Sequence, residues 1–155
     1  MLTPGVMVCD NTTVRLDDDN EPQPDTLLRI EQGGSSLITS DDYIEGAPEL
    51  AIEIAGSSAS YDLHDKKEAY RRNGVQEYIV WNSGERSLSW FALQSNEYIT
   101  LEPDESGIIR SQVFPGLWLN VEAFVAGDLT TVYQTLQSGI ADEAHQRFVE
   151  KLHQG

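Results

Sequence analysis

Hydrophobic and polar positions alternate with a period of two just before the middle of the chain. Leu50, Ile52 and Ile54 fall on one face, and Glu49, Ala51, Glu53 and Ala55 on the other. This is a strand, and a carboxylate set between two alanines has open space around it. The next segment is helical from about residue 62 to residue 73. Asp62 suits its N-cap and Asp65 its first turn, Arg71 and Arg72 stand in the last turn, and Gly74 occupies the C′ position. Residues 75–81, VQEYIVW, form an apolar run of strand length, expected to be buried and parallel to the first strand across the helix.

Short strands are expected before this unit at residues 6–9, 13–16 and 25–30, with the polar run 17–21 as a hairpin or loop tip between the second and third. The stretch 37–47, LITSDDYIEGA, reads as a polar connection. After the unit, Ser83 to Arg86 turns the chain into SLSWFAL, further strands follow near residues 98–101 and 108–111, and Phe114-Pro115-Gly116 ends the sheet. From Val121 the period lengthens to that of a helix. Leu129, Val132, Tyr133 and Leu136 make one apolar stripe, closed by Gly139, and Ala141, Ala144, Phe148 and Leu152 make another. These C-terminal amphipathic helices pack on the sheet or serve a dimer or partner surface. The expected fold is a single α/β domain over residues 1–155.

Length supports that expectation, since 155 residues with 39% hydrophobic content suffice for one core. No run approaches the ~18 apolar residues of a membrane span, and the first residues lack the pattern of a signal peptide, so a soluble cytoplasmic protein without membrane contact is expected. Cys9 stands alone, which excludes an internal disulfide and a cysteine-based zinc site. The formal charge of −16, with ten Lys and Arg, argues against an extended phosphate-binding surface. Metal ions and a local basic patch would have to offset it wherever a nucleic acid is bound.

Asp25 begins one strand and Glu53 lies within another. Two carboxylates on neighbouring strands can share a hard cation such as Mg²⁺, which takes one or two carboxylates and keeps waters in its other positions. On the helix Asp62, Lys66 and Tyr70 share a face at i, i+4 and i+8, and Lys66 is placed to orient or help deprotonate an attacking water or to stabilise charge on a phosphate. Each residue also has an ordinary explanation as turn, exposed strand position, cap or surface ion pair. His64 reads as a solvent-facing helix residue or a phosphate contact, His145 and His153 suggest no metal pair, and Trp81, Trp90 and Trp118 read as packing residues rather than base-stacking ones.

Several motifs together carry a resemblance. Gln23-Pro24-Asp25, the run from Gly46 to Ile54, Tyr61-Asp62-Leu63-His64-Asp65-Lys66, the run from Tyr70 to Tyr78, and Phe114-Pro115-Gly116-Leu117-Trp118 resemble the Uma family of restriction-endonuclease-like proteins, of the PD-(D/E)xK nuclease superfamily. The resemblance implies a restriction-endonuclease-like mixed β-sheet core flanked by helices. It also implies an Mg²⁺-dependent endonuclease, with Mn²⁺ as a substitute, that hydrolyses phosphodiester bonds of nucleic acid, DNA by preference. Asp25 then matches the aspartate of the Pro-Asp motif and Glu53 the second acidic metal ligand. The superfamily lysine two residues further on is Ala55 here, and Lys66 on the following helix stands in, with Lys67 the other reading if the register is shifted by one.

The chain departs from the pattern at Gly56-Ser57-Ser58-Ala59, where the family commonly has a Ser-Pro-Ser-Thr turn. It is also expected to lack the N-terminal helix and Gly-Glu hairpin of the family, whose helix often completes the metal site. A catalytically silent nuclease-fold binding or assembly module is therefore the rival expectation, and an acidic regulator of a basic partner a third. A homodimer suits an enzyme that must cut two strands.

Overall fold

The computed structural model describes residues 3–56 and 60–155, the side chains of residues 60–62 excepted. Its contacts gather into two units, residues 5–100 and a second made mainly of residues 101–155. The first contains β1 (Val6–Asp10), β2 (Val14–Arg15), β3 (Thr26–Ile30), β4 (Ser36–Ile38), β5 (Ile44–Gly46), β6 (Leu50–Ala55), α1 (Ser60–Arg72), β7 (Glu77–Asn82), β8 (Ser87–Gln94) and β9 (Glu97–Thr100). Six of these strands make one mixed sheet in the order β1-β3-β6-β7-β8-β9. All neighbours are antiparallel except β6 and β7, which run parallel with α1 as the crossover.

The alternation along β6 has a different burial from the one its composition suggests. Ala51, Glu53 and Ala55 are buried, whereas the apolar face opens progressively, from fully buried Leu50 to 59% exposed Ile54. The small alanines let α1 approach: Tyr70 packs with Ala47, Ala51, Val75 and Tyr78 in one core cluster. The space around Glu53 is thus occupied by side chains of α1.

The end of α1 explains how Tyr70 is held. Gly74 has φ +81°, its N–H donates to Arg71 O at 3.2 Å, and Val75 N–H donates to Tyr70 O at 3.0 Å. These two bonds make a Schellman motif, and Val75 supplies its usual apolar contact in the Tyr70 cluster. The helix begins at Ser60, two residues before the expected start, so Asp62 lies within its first turn and not at the N-cap; the side chain of Asp62 and the turn 57–59 fall outside the described residues.

The stretch 37–47, expected to be a polar connection, contains two strands instead. β4 and β5 form a hairpin, and β2 joins β5 in parallel to give a second sheet in the order β2-β5-β4. Strands of three residues are too short to show alternation, and Leu37 and Ile38 are exposed, so hydrophobicity does not mark them. Val14, Leu27 and Ile44 form the buried cluster in this region. The acidic run 17–21 is a tight turn: Asp17 and Asn20 bridge, and the Asn73 side chain donates to Asp17 Oδ2 at 2.9 Å.

The second unit contains β10 (Ile108–Arg110), β11 (Trp118–Asn120), α2 (Val121–Ala126), α3 (Leu129–Ile140) and α4 (Glu143–Gln154). Phe114-Pro115-Gly116 does not end the strands, because β11 follows it and pairs antiparallel with β10. Asn120, Asp128 and Asp142 cap the three helices by accepting backbone N–H bonds. Gly139 lies inside α3, where a side chain would strike the backbone of Gly116, so it permits close packing and does not stop the helix. His145, which sequence placed on a terminal helix without a role, is buried with Nδ1 2.7 Å from Pro115 O. No helix among the described residues is long and apolar enough to cross a membrane.

Candidate active site

Strand register brings the two sequence-selected acids together. Thr26 of β3 pairs with Ile52 of β6, so Asp25 and Glu53 are the residues immediately beyond this pair on adjacent strands. Asp25 Oδ2 accepts the Ile54 N–H at 2.7 Å, taking a backbone donor just where the β3 ladder has ended. That bond holds the Asp25 carboxylate at the edge beside Glu53 and accounts for part of its role structurally.

Glu53 is the more constrained of the two. Its side chain is 4% exposed, Oε1 accepts the Tyr70 hydroxyl at 2.9 Å, and Oε2 lies 3.4 Å from Lys66 Nζ. Burial raises its pKa above the ordinary glutamate value; Lys66 and the Tyr70 hydrogen bond pull it down, and the charge of Asp25 pushes it up again. The Tyr70 hydroxyl is in turn held far from ionisation by burial and by the adjacent carboxylate, so it serves as a permanent donor.

The two lysines left open by periodicity have separate destinations. Lys66 reaches Glu53, whereas Lys67 places Nζ 3.8 Å from the centroid of the Phe91 ring. Asp62 of the same helical face has its side chain outside the described residues. His64 is exposed. Trp90 is buried and donates Nε1–H to Glu77 Oε2 at 3.1 Å, a packing role.

Burial alone does not identify the site, since three glutamates of this region are buried. Glu49 accepts the N–H groups of Ile30 and Ser35, both at 2.8 Å, and so ties a turn to the strand start. Glu77 is on the opposite face of the sheet, with Trp90. Glu53 combines burial with a second carboxylate and a cation. Tyr70, which sequence analysis placed on the helical face of Lys66 without a function, completes the set.

Residues 2–122 match the family described as "Uma2: Putative restriction endonuclease". The chain belongs to the Uma2 family. The fold of this Uma2 chain is similar to the crystal structure of "a putative nuclease belonging to DUF820 from Anabaena variabilis ATCC 29413", with TM-score 0.60, 15% sequence identity, and coverage of 79% of this chain and 69% of that one. That likeness makes the fold restriction-endonuclease-like. No curated protein matches the chain.

The Tyr70–Glu53 contact makes a prediction independent of any activity. Tyr70→Phe is expected to cost about 1 kcal/mol of stability, the net worth of one hydrogen bond. It is also expected to raise the Glu53 pKa further, because a donor to the charged form is lost. Thermal melts and an NMR titration of the Glu53 carboxyl check both.

Proposed function

We infer that this Uma2 chain is a divalent-metal-dependent endonuclease hydrolysing phosphodiester bonds of nucleic acid, DNA first. Asp25 and Glu53 would hold Mg²⁺ or Mn²⁺, and Lys66 would assist the attacking water. The observation that carries this reading is the buried Glu53 carboxylate, flanked by a second acid and reached by one lysine. Two carboxylates against one ammonium leave the group net negative, a charge that a divalent cation offsets.

The donor set suits Mg²⁺. Both ligands are hard carboxylate oxygens, and among the described residues no group of three or more His, Cys, Asp or Glu is placed to hold a metal. Mg²⁺ commonly makes do with one or two carboxylates and retains several waters. When bound, the ion supplies a Lewis acid for phosphoryl oxygens and a source of hydroxide at neutral pH. The protein's own residues do the rest: Tyr70 fixes the Glu53 rotamer, Asp25 is locked by the Ile54 N–H, and Lys66 places positive charge where water and phosphate meet.

Calorimetric titration with Mg²⁺ and Mn²⁺ tests the site. Wild type is expected to bind one ion, and Asp25→Asn and Glu53→Gln each to weaken binding by at least about tenfold. Asn keeps an acceptor for Ile54 N–H, so its fold should persist. The limit of two carboxylates among the described residues favours the rival, a silent nuclease-fold module; equal affinity in wild type and both variants would support it.

A further inference from the structure

The sheet face that carries Glu53 continues sideways into a pocket. Register sets Val80 of β7 beside Glu53, and Ser89 of β8 beside Val80, and residues paired in this way project from one face. Above Val80 and Ser89 opens a pocket of about 210 Å³, walled also by Leu63, His64 and Lys67 of α1 and by Tyr78 and Phe91. None of these residues enters the chemistry proposed above.

The lining has two parts. Leu63, Val80 and Phe91 offer apolar surface, while His64, Lys67 and Ser89 offer donors. Lys67 is not a loose surface cation, because its ammonium is held over the Phe91 ring 3.8 Å from the centroid. Charge distribution points to the same place. The chain has 26 acidic residues against ten Lys and Arg, and four of those ten, Lys66, Lys67, Arg71 and Arg72, stand on α1, where Asp62, Asp65 and Glu68 oppose them and Arg71 is paired with Glu68. Cations outnumber acids on this helix, in contrast to the molecule as a whole, and Lys67 is the one that lines the pocket, a local charge that a polyanion can meet.

Resting on the nuclease reading of the Asp25–Glu53 site, we propose that the pocket binds the nucleotide next to the scissile phosphate. Its base lies against Leu63, Val80 and Phe91, and its phosphate meets Lys67 and His64. A base paired and stacked within a duplex cannot enter such a pocket, so the strand is unpaired at this position. The substrate class is accordingly single-stranded nucleic acid, or a strand with one nucleotide turned out of the stack.

Fluorescence anisotropy of a labelled oligothymidylate, with Ca²⁺ in place of Mg²⁺ to prevent cleavage, tests the proposal. Ser89→Phe, which fills the pocket without changing charge, and Lys67→Ala should each weaken binding about tenfold, the scale of one lost stacked base. Arg15→Ala, a charge deletion on β2 of the same unit and outside the pocket lining, should not change it. The same sequence as a duplex should bind more weakly than the single strand. Should the Ser89 variant not fold, NMR of wild type with thymidine monophosphate replaces it, with shifts expected at the Phe91 and His64 rings.

Wild-type affinity in both pocket variants, equal affinity for duplex, or no shift at those rings overturns the proposal. The nuclease reading fails separately. A wild type that binds through the pocket but cuts nothing overturns that reading and leaves the pocket. One that cuts while the pocket variants bind normally overturns the pocket alone.

Discussion

Glu53→Gln is expected to reduce phosphodiester cleavage by on the order of 10³-fold or more, the scale of a lost preorganised electrostatic contact. In the metal-free protein it should also raise the thermal midpoint at neutral pH. Both effects come from one fact: Glu53 is buried, and burial holds its pKa above the usual glutamate value despite Lys66 and Tyr70. A carboxyl whose folded pKa exceeds its unfolded one contributes stability that is fully present below the unfolded value. That contribution is lost as pH rises through the folded value.

At neutral pH the ionised carboxylate therefore weakens the fold, and a neutral amide of the same shape removes the strain while still accepting from Tyr70. The midpoint difference between variant and wild type should grow from acid to neutral pH. Added Mg²⁺ should stabilise wild type but not the variant. A midpoint difference independent of pH would show that Glu53 is not the buried, strained acid described.

Lys66→Ala is expected to lower turnover by about 10²- to 10³-fold and to move the acid limb of the pH profile upward. Lys66 is the largest influence lowering the Glu53 pKa, so its removal drives that pKa higher, and metal binding, which needs the ionised form, is lost at a correspondingly higher pH. Lys66→Arg retains the positive charge and should leave the limb near its wild-type position. Metal titration at several pH values distinguishes these variants. An unchanged limb in Lys66→Ala would mean that the 3.4 Å contact has no electrostatic consequence in solution.

The β6–α1–β7 unit was legible in sequence because three independent signals agree there: the alternation at 50–55, the C′ glycine at 74, and a β-branched and aromatic run of strand length. Alternation drew Glu53 out and strand position Asp25, the motif resemblance gave both their roles, and register brings the ends of their strands side by side. The choice between Lys66 and Lys67 was not legible, since both lie on the inward side of α1 and only their end-points, Glu53 and Phe91, differ.

Of the small second sheet, β2 was expected at residues 13–16, whereas β4 and β5 escaped because each is three residues long, less than one clear period of alternation. β11 escaped because it follows a Pro-Gly turn that reads as a terminus. The separate fates of Glu49, Glu53 and Glu77 could not be foreseen, because strand spacing gives a face but not the partner waiting on it.

The most direct measurement is cleavage of an end-labelled DNA strand by wild type and Asp25→Asn with Mg²⁺, with Mn²⁺ and with chelator. Discrete products are expected from wild type with either ion, none with chelator, and none from the variant. Products that persist with chelator or in Asp25→Asn, or no cleavage by wild type with either ion, would contradict a metal-dependent endonuclease built on Asp25 and Glu53.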